Sequence, residues 1–272
     1  VTRHPAGPDD IAWNPTEGKL DPAALEGADG VVHLAGEAIA GGRWTGEQRE
    51  RILQSRVRGT TLLAETLARL QHRPAVLISA SGINIYGDRG AEVLTEQAGL
   101  RPAPARTFIE QVGQGWEAAT EPAEHAGIRV VRARLGMVLS PAGGALAQML
   151  PPFEAGLGGR LGSGQQYLGW ISIDDAVGAL YHALTDDALR GPLNVTAPEP
   201  VTNQEFTAVL GRVLHRPTVI PVPGAGLRLI FGDLADELLL ASTRVVPARL
   251  RESGYVFRQP DLAQALRHVL GR

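Results

Sequence analysis

Three short apolar runs set the rhythm of the chain. The first is Val31, Val32, Leu34 and Ala35 after Gly30; the second is Ala75, Val76, Leu77, Ile78 and Ala80; the third sets Val130, Val131, Ala133 and Leu135 among Arg129, Arg132 and Arg134. Apolar runs of this length, rich in β-branched residues, predict strands buried on both faces. Between the first two runs, Ile52, Leu53, Val57, Leu62, Leu63, Leu67 and Leu70 recur at helical spacing. They predict a long helix over 45–70, with Thr45 as its N-cap and Glu47 and Gln48 in the first turn. A second helix is predicted over 107–126. Strands alternating with helices at this spacing imply right-handed crossovers and a parallel sheet, the α/β class.

Other elements follow from local signals. Val1 to Arg3 reads as a strand end, and Ile11, Ala12 and Trp13 as a brief strand before Asn14 and Pro15. Asp21 and Pro22 open a short helix. Trp170 to Ile173 predicts a strand, with Asp174 capping the helix after it. Leu193, Asn194 and Val195 predict another strand, and Thr202-Asn203-Gln204-Glu205 is a capping box for a helix reaching Leu214. The chain divides into a first region over 1–140 and a mixed region over 141–272 that completes the sheet and caps the substrate side.

Ligands of open α/β sheets sit beyond the carboxyl ends of the strands. The first run ends in Ala35 and Gly36, whose small size lets a ligand approach the backbone, and Glu37 and Arg43 follow.

Composition narrows the classes. A chain of 272 residues with a net charge of −3 has no general attraction for nucleic acid or an anionic membrane surface. It contains no cysteine, which excludes disulfides, thiolate metal sites and a cysteine nucleophile, and fits a cytoplasmic protein. The seven histidines are scattered without metal-ligand spacing, so no metal site is expected. No apolar run reaches the length of a membrane span.

Several segments together resemble the extended and atypical short-chain dehydrogenase/reductases. They are Val31-Val32-His33-Leu34-Ala35-Gly36, Ser55-Arg56-Val57-Arg58-Gly59-Thr60, Ser79-Ala80-Ser81 with Tyr86-Gly87, and Trp170-Ile171-Ser172-Ile173-Asp174-Asp175. Gly36-Glu37 with Arg43-Trp44, and the segment from Pro247 to Leu262, are similar to a sugar-epimerase-like branch of unknown substrate. The resemblance spans essentially the whole chain. It implies a Rossmann-like sheet with helices on both faces, a small, mainly helical C-terminal region, and NADP(H) rather than NAD(H) as cofactor. It also implies a homodimer formed through the helices over 45–70 and 107–126.

Two departures shape the expectation. The family's glycine-rich phosphate loop follows a strand that precedes the one ending at Arg3, and no glycine run here follows a strand and opens a helix. The chain therefore reads as lacking the family's first strand and glycine loop, as an N-terminally truncated chain does. The family's catalytic Tyr and Lys, four residues apart, fall at Ile109 and Gly113, neither of which transfers a proton.

The resemblance also assigns site residues. Arg3 ends the second Rossmann strand, where a guanidinium can pair with an adenosine 2′-phosphate, and Thr2 adds a hydroxyl. Leu34, Ala35 and Gly36 offer backbone to the cofactor. Glu37 and Arg43 either shape the nicotinamide side, contact ribose and phosphate, or form a structural salt bridge. Ser79 and Ser81 end the next strand; Ser81 is the candidate to polarise a substrate oxygen, Ser79 more simply a strand-end hydroxyl. Tyr86, on a loop expected to be mobile, is the other acid/base candidate, and Leu135 packs on the nicotinamide ribose. Two functions stay open: hydride transfer to or from a small hydroxyl or carbonyl compound, sugar-nucleotide-like in character, or cofactor binding without turnover, as a scaffold or regulator.

Overall fold

The structure is a computed structural model that describes residues 2, 6, 7, 10–40, 42–100 and 105–272. Its centre is a parallel sheet of β1 (Gly30–His33), β2 (Val76–Gly82), β3 (Arg129–Leu135) and β4 (Gly191–Val195). The order across the sheet is β4, β3, β2, β1. Val32 lies opposite Ile78 and Ile78 opposite Val131, while Leu193 lies opposite Ala133. This is the Rossmann-like α/β arrangement the alternation predicts.

Helices cover both faces. From β1 the chain enters α1 (Gly46–Arg69), capped as expected by Thr45, whose side chain accepts from the Gln48 N–H. Leu63, Ala64 and Leu67 of α1 pack with Leu77 and Val130. The helix expected over 107–126 is two helices, α2 (Phe108–Ala118) and α3 (Glu121–His125). Pro122 in the first turn of α3 explains the break, since its ring and missing N–H suit a helix start and not an interior.

After β3 come α4 (Gly144–Glu154) and α5 (Ile173–Thr185). Ala176, Ala179 and Ala183 of α5 pack on Ile78, Val131 and Val195, covering the face opposite α1. Ser172, not Asp174, caps α5: its hydroxyl accepts from the Asp175 N–H. A second core gathers Leu146, Phe153 and Trp170 with Phe206 and Leu210 of α6 (Asn203–Leu214). The C-terminal region adds α7 (Gly224–Phe231), α8 (Ala248–Glu252) and α9 (Leu262–Leu270), whose Leu262 and Leu266 join that core. Among the described residues no helix is long and apolar enough to cross a membrane.

One strand departs from expectation. The run over 31–35 was predicted to be buried on both faces, but β1 stops at His33, with Val32 43% and Leu34 55% exposed. Among the described residues β1 pairs only with β2, so it forms the edge of the sheet. Its inward residue, His33, bonds Thr60 through Nε2 at 3.0 Å. Burial pushes the His33 pKa down to about 4, so the ring is a neutral core group near neutrality.

Candidate functional site

Two clefts lie near the carboxyl end of β1. The first is lined by Thr2, Trp13, Pro15, Ala35, Gly36, Glu37 and Ser55, with a volume of about 200 Å³. Through Pro15, Glu37 and Ser55 it adjoins a groove of about 310 Å³ along α1 that includes Arg51 and Arg58. Thr2, Ala35, Gly36 and Glu37 of the expected cofactor set are thus brought together. Thr2 reaches the cleft because its backbone bonds Ile11 and Trp13. Glu37, half-buried, is held by its backbone, whose N–H donates to Ser55 Oγ at 3.0 Å. Arg3 lies outside the described residues.

The other expected cofactor residues lie elsewhere. Arg43 runs against Gly232 after α7, and no ion pair joins it to Glu37 among the described residues. Ser79 is buried in the middle of the sheet, opposite His33 on one side and Arg132 on the other. Leu135 ends β3 opposite Gly82 and Val195, partly buried against the sheet core.

The second cleft, of about 40 Å³, is lined by Ile39, Arg56, Gly82, Asn84, Ile85, Ile109, Val112, Gly113 and Trp116. Arg56 lines this cleft and is tied to Glu37 of the first: its Nη1 donates to the Glu37 carbonyl at 2.9 Å and to the Ile52 carbonyl at 3.2 Å. Burial pushes its pKa down to about 10 against the opposing pull of Glu37, so it keeps its charge at neutrality. Its guanidinium stacks over the Trp116 ring, 4.7 Å from the centroid.

Ile109 and Gly113 do face this cleft, with no acid or base at either place. Gly113 is also closed to larger residues, because a Cβ there would sit 2.9 Å from Ile85 Cβ. Gly113→Ala is therefore expected to lower stability by about 1–3 kcal/mol, read as a fall in the urea midpoint. An unchanged midpoint would mean that α2 moves aside freely.

Ser81 is turned away from the cleft. Its hydroxyl donates to Glu117 Oε1 at 2.9 Å, and Gly82 and Asn84 face the cleft in its place. Tyr86 is fully buried in a 3₁₀ turn over Ile83–Tyr86, not on a mobile loop. Its hydroxyl accepts from Arg134 Nη1 at 2.8 Å and lies 2.9 Å from Asn194 Oδ1. Burial raises its pKa, with Arg134 opposing, so the phenol is a neutral structural donor.

The model of the NAD dependent epimerase/dehydratase family matches residues 17–195. The chain belongs to that family. A domain of unknown function, DUF1731, matches residues 222–269. An epimerase family protein of Mycobacterium bovis, Mb2239, is 42% identical over 272 residues, covering all of this chain and 88% of that protein. The mouse epimerase family protein SDR39U1 is 38% identical over 99% of this chain and 90% of its own length. The crystal structure of human SDR39U1 (isoform 2) with NADPH superposes with a TM-score of 0.89 at 33% identity. It covers all of this chain and 90% of that one. A nucleoside-diphosphate sugar epimerase from Corynebacterium glutamicum gives a TM-score of 0.77 at 35% identity over 99% of this chain and 51% of that one.

Within this epimerase/dehydratase chain, sequence reasoning missed Arg56, Asn84 and Trp116 as site residues. Arg56 carried a signal: it stands on the apolar stripe of α1 with Ile52, Gly59 and Leu63, where a cation calls for a partner.

Proposed function

We propose that the chain binds NADP(H) beyond Ala35 and Gly36. We further propose that it acts as an oxidoreductase or epimerase on a small hydroxyl or carbonyl compound in the second cleft. The observation that supports this most is the Arg56–Glu37 hydrogen bond, which ties the lining of the second cleft to that of the first beyond β1. The residues present suit a dinucleotide. Gly36 leaves bare backbone beside the Arg56 guanidinium, which a Cβ would approach to 3.0 Å. Glu37 and Thr2 offer oxygens to ribose hydroxyls, and Arg3, by its place in the sequence, offers a guanidinium to a 2′-phosphate. When bound, a nicotinamide cofactor supplies or accepts a hydride. Ile39, Ile109 and Val112 exclude water from the second cleft, where Arg56 and Asn84 hold and polarise oxygen.

A second reading rests on Ile109 and Gly113. No side chain lining the second cleft titrates near neutrality, which favours cofactor binding without turnover.

Titration calorimetry of NADPH and NADH tests the cofactor assignment. NADPH is expected to bind at least about tenfold more tightly, and Arg3→Ala to remove the difference. Binding of neither dinucleotide overturns the proposal. NADPH oxidation above background with a panel of small aldehydes and ketones sustains the enzyme; binding without oxidation sustains the silent binder.

A further inference from the structure

Arg56 and Trp116 bring two buried N–H donors without partners to the same small cleft. We propose that they receive a carboxylate, so that the compound acted on is a small hydroxy or oxo acid. This deepens the enzyme reading given above and rests on it for the word substrate; the carboxylate site itself stands or falls separately.

Arg56 is 6% exposed and Trp116 7% exposed. Arg56 Nη1 is taken by the carbonyls of Glu37 and Ile52, whereas Arg56 Nε and Trp116 Nε1 are buried and meet no acceptor among the described residues. Buried donors left without acceptors are costly, and two on the lining of one cleft point to a ligand acceptor. Charge narrows the choice. Among the described residues no carboxylate lies within ion-pair distance of Arg56.

Arg134, the buried arginine on β3, makes the contrast. The chain itself gives it Glu117 as a two-point partner, at 2.7 Å from Nε and 2.8 Å from Nη2. Arg56 has only the longer-range pull of Glu37 and, among the described residues, no such two-point partner. Water would satisfy the N–H groups but add no charge to that pull; a carboxylate does both.

Size and shape agree. The cleft is small, about 40 Å³, which suits a small acid and not a bulky ligand. Stacking on Trp116 fixes the guanidinium plane, and Ile39, Ile109 and Val112 close the rest of the wall. Asn84 is the remaining polar lining residue, placed for the hydroxyl or carbonyl oxygen of the same molecule.

The test follows the indole N–H resonances of ¹⁵N-labelled protein, with that of Trp116 identified by its loss in Trp116→Phe. Sodium acetate is expected to move the Trp116 resonance downfield in a saturable way, while acetamide, its neutral isostere, and sodium chloride do not. Arg56→Gln is expected to weaken the response at least about tenfold with the resonances of Trp44 and Trp170 in place. If Arg56→Gln does not fold, Arg56→Lys, which keeps a charge but loses Nε, is expected to show the same loss. A Trp116 resonance that ignores acetate, or answers acetamide or chloride equally, overturns the proposal.

Repeating the titration at saturating NADPH separates the two readings. Acetate bound on top of NADPH supports both. Acetate bound by a protein that ignores NADPH supports the carboxylate site and removes the dinucleotide reading. An acetate response abolished by NADPH assigns the two donors to the cofactor and overturns the substrate assignment.

Discussion

Glu117→Gln is expected to destabilise the protein by about 3–5 kcal/mol, because it leaves a guanidinium buried without its counter-charge. Glu117 on α2 receives Arg134 at two points and the Ser81 hydroxyl at a third. From Arg134 the chain of bonds runs to Tyr86, from Tyr86 to Asn194, and from Asn194 Nδ2 to the Val246 carbonyl at 3.0 Å. The Asn194 N–H donates in turn to Glu96 Oε1 at 2.9 Å. One network thus ties the ends of β2, β3 and β4 to α2 and to the C-terminal region. Burial works against the Arg134 charge, but the bonds to Glu117 outweigh it and hold its pKa above the usual arginine value. Urea unfolding of three variants checks the argument. Ser81→Ala, which removes one hydrogen bond, is expected to cost about 1 kcal/mol. Adding Arg134→Met to Glu117→Gln is expected to recover part of the loss, since it removes the stranded charge. A Glu117→Gln variant within about 1 kcal/mol of the parent would show that the pair does not hold the strand ends together.

The fold was legible where periodicity is decided locally. The stripe of α1, its Thr45 cap and the runs of β2 and β3 follow from side-chain spacing, because the apolar period marks a buried face whichever element covers it. The edge position of β1 was legible only through the resemblance, which has the family's first strand missing; by themselves Val32 and Leu34 look like core residues. The break after α2 was written in Pro122, a helix-start residue inside an otherwise continuous helical pattern.

The site was less legible than the fold because its side chains choose among partners distant in sequence. Ser81 ends β2 as expected, yet Glu117, 36 residues on, takes its hydroxyl away from the cleft. Arg43, four residues beyond Ile39, runs instead to Gly232 near the other end of the chain. Backbone positions fared better. Ala35, Gly36 and Glu37 reach the cleft because the strand end itself carries them there, whatever their side chains do.

Asp175→Ala is the second large loss expected, about 2–4 kcal/mol, and it acts at a distance in sequence. Asp174 and Asp175 read alike from sequence, as cap and first-turn charges, but the two diverge. Asp174 is partly exposed and pairs with His268, whereas Asp175 is 1% exposed. The Asp175 carboxylate accepts the backbone N–H groups of Arg258 at 2.8 Å and Gln259 at 2.9 Å, and the Tyr255 hydroxyl at 3.1 Å. Burial, followed by the Asp175 charge, raises the Tyr255 pKa and keeps the phenol a donor. Tyr255 and Phe257 lie against the core that contains Val131, Val195 and Ala179. The carboxylate is therefore the polar tether of the segment joining α8 to α9 across α5. Its removal leaves the Arg258 and Gln259 N–H groups without their acceptor, a cost that the smaller alanine cannot offset by repacking. Faster hydrogen exchange at Arg258 and Gln259, together with the lower urea midpoint, is the expected signature. Global destabilisation with those two amides still protected would mean that Asp175 acts through α5 alone and that apolar packing holds the C-terminal segment unaided.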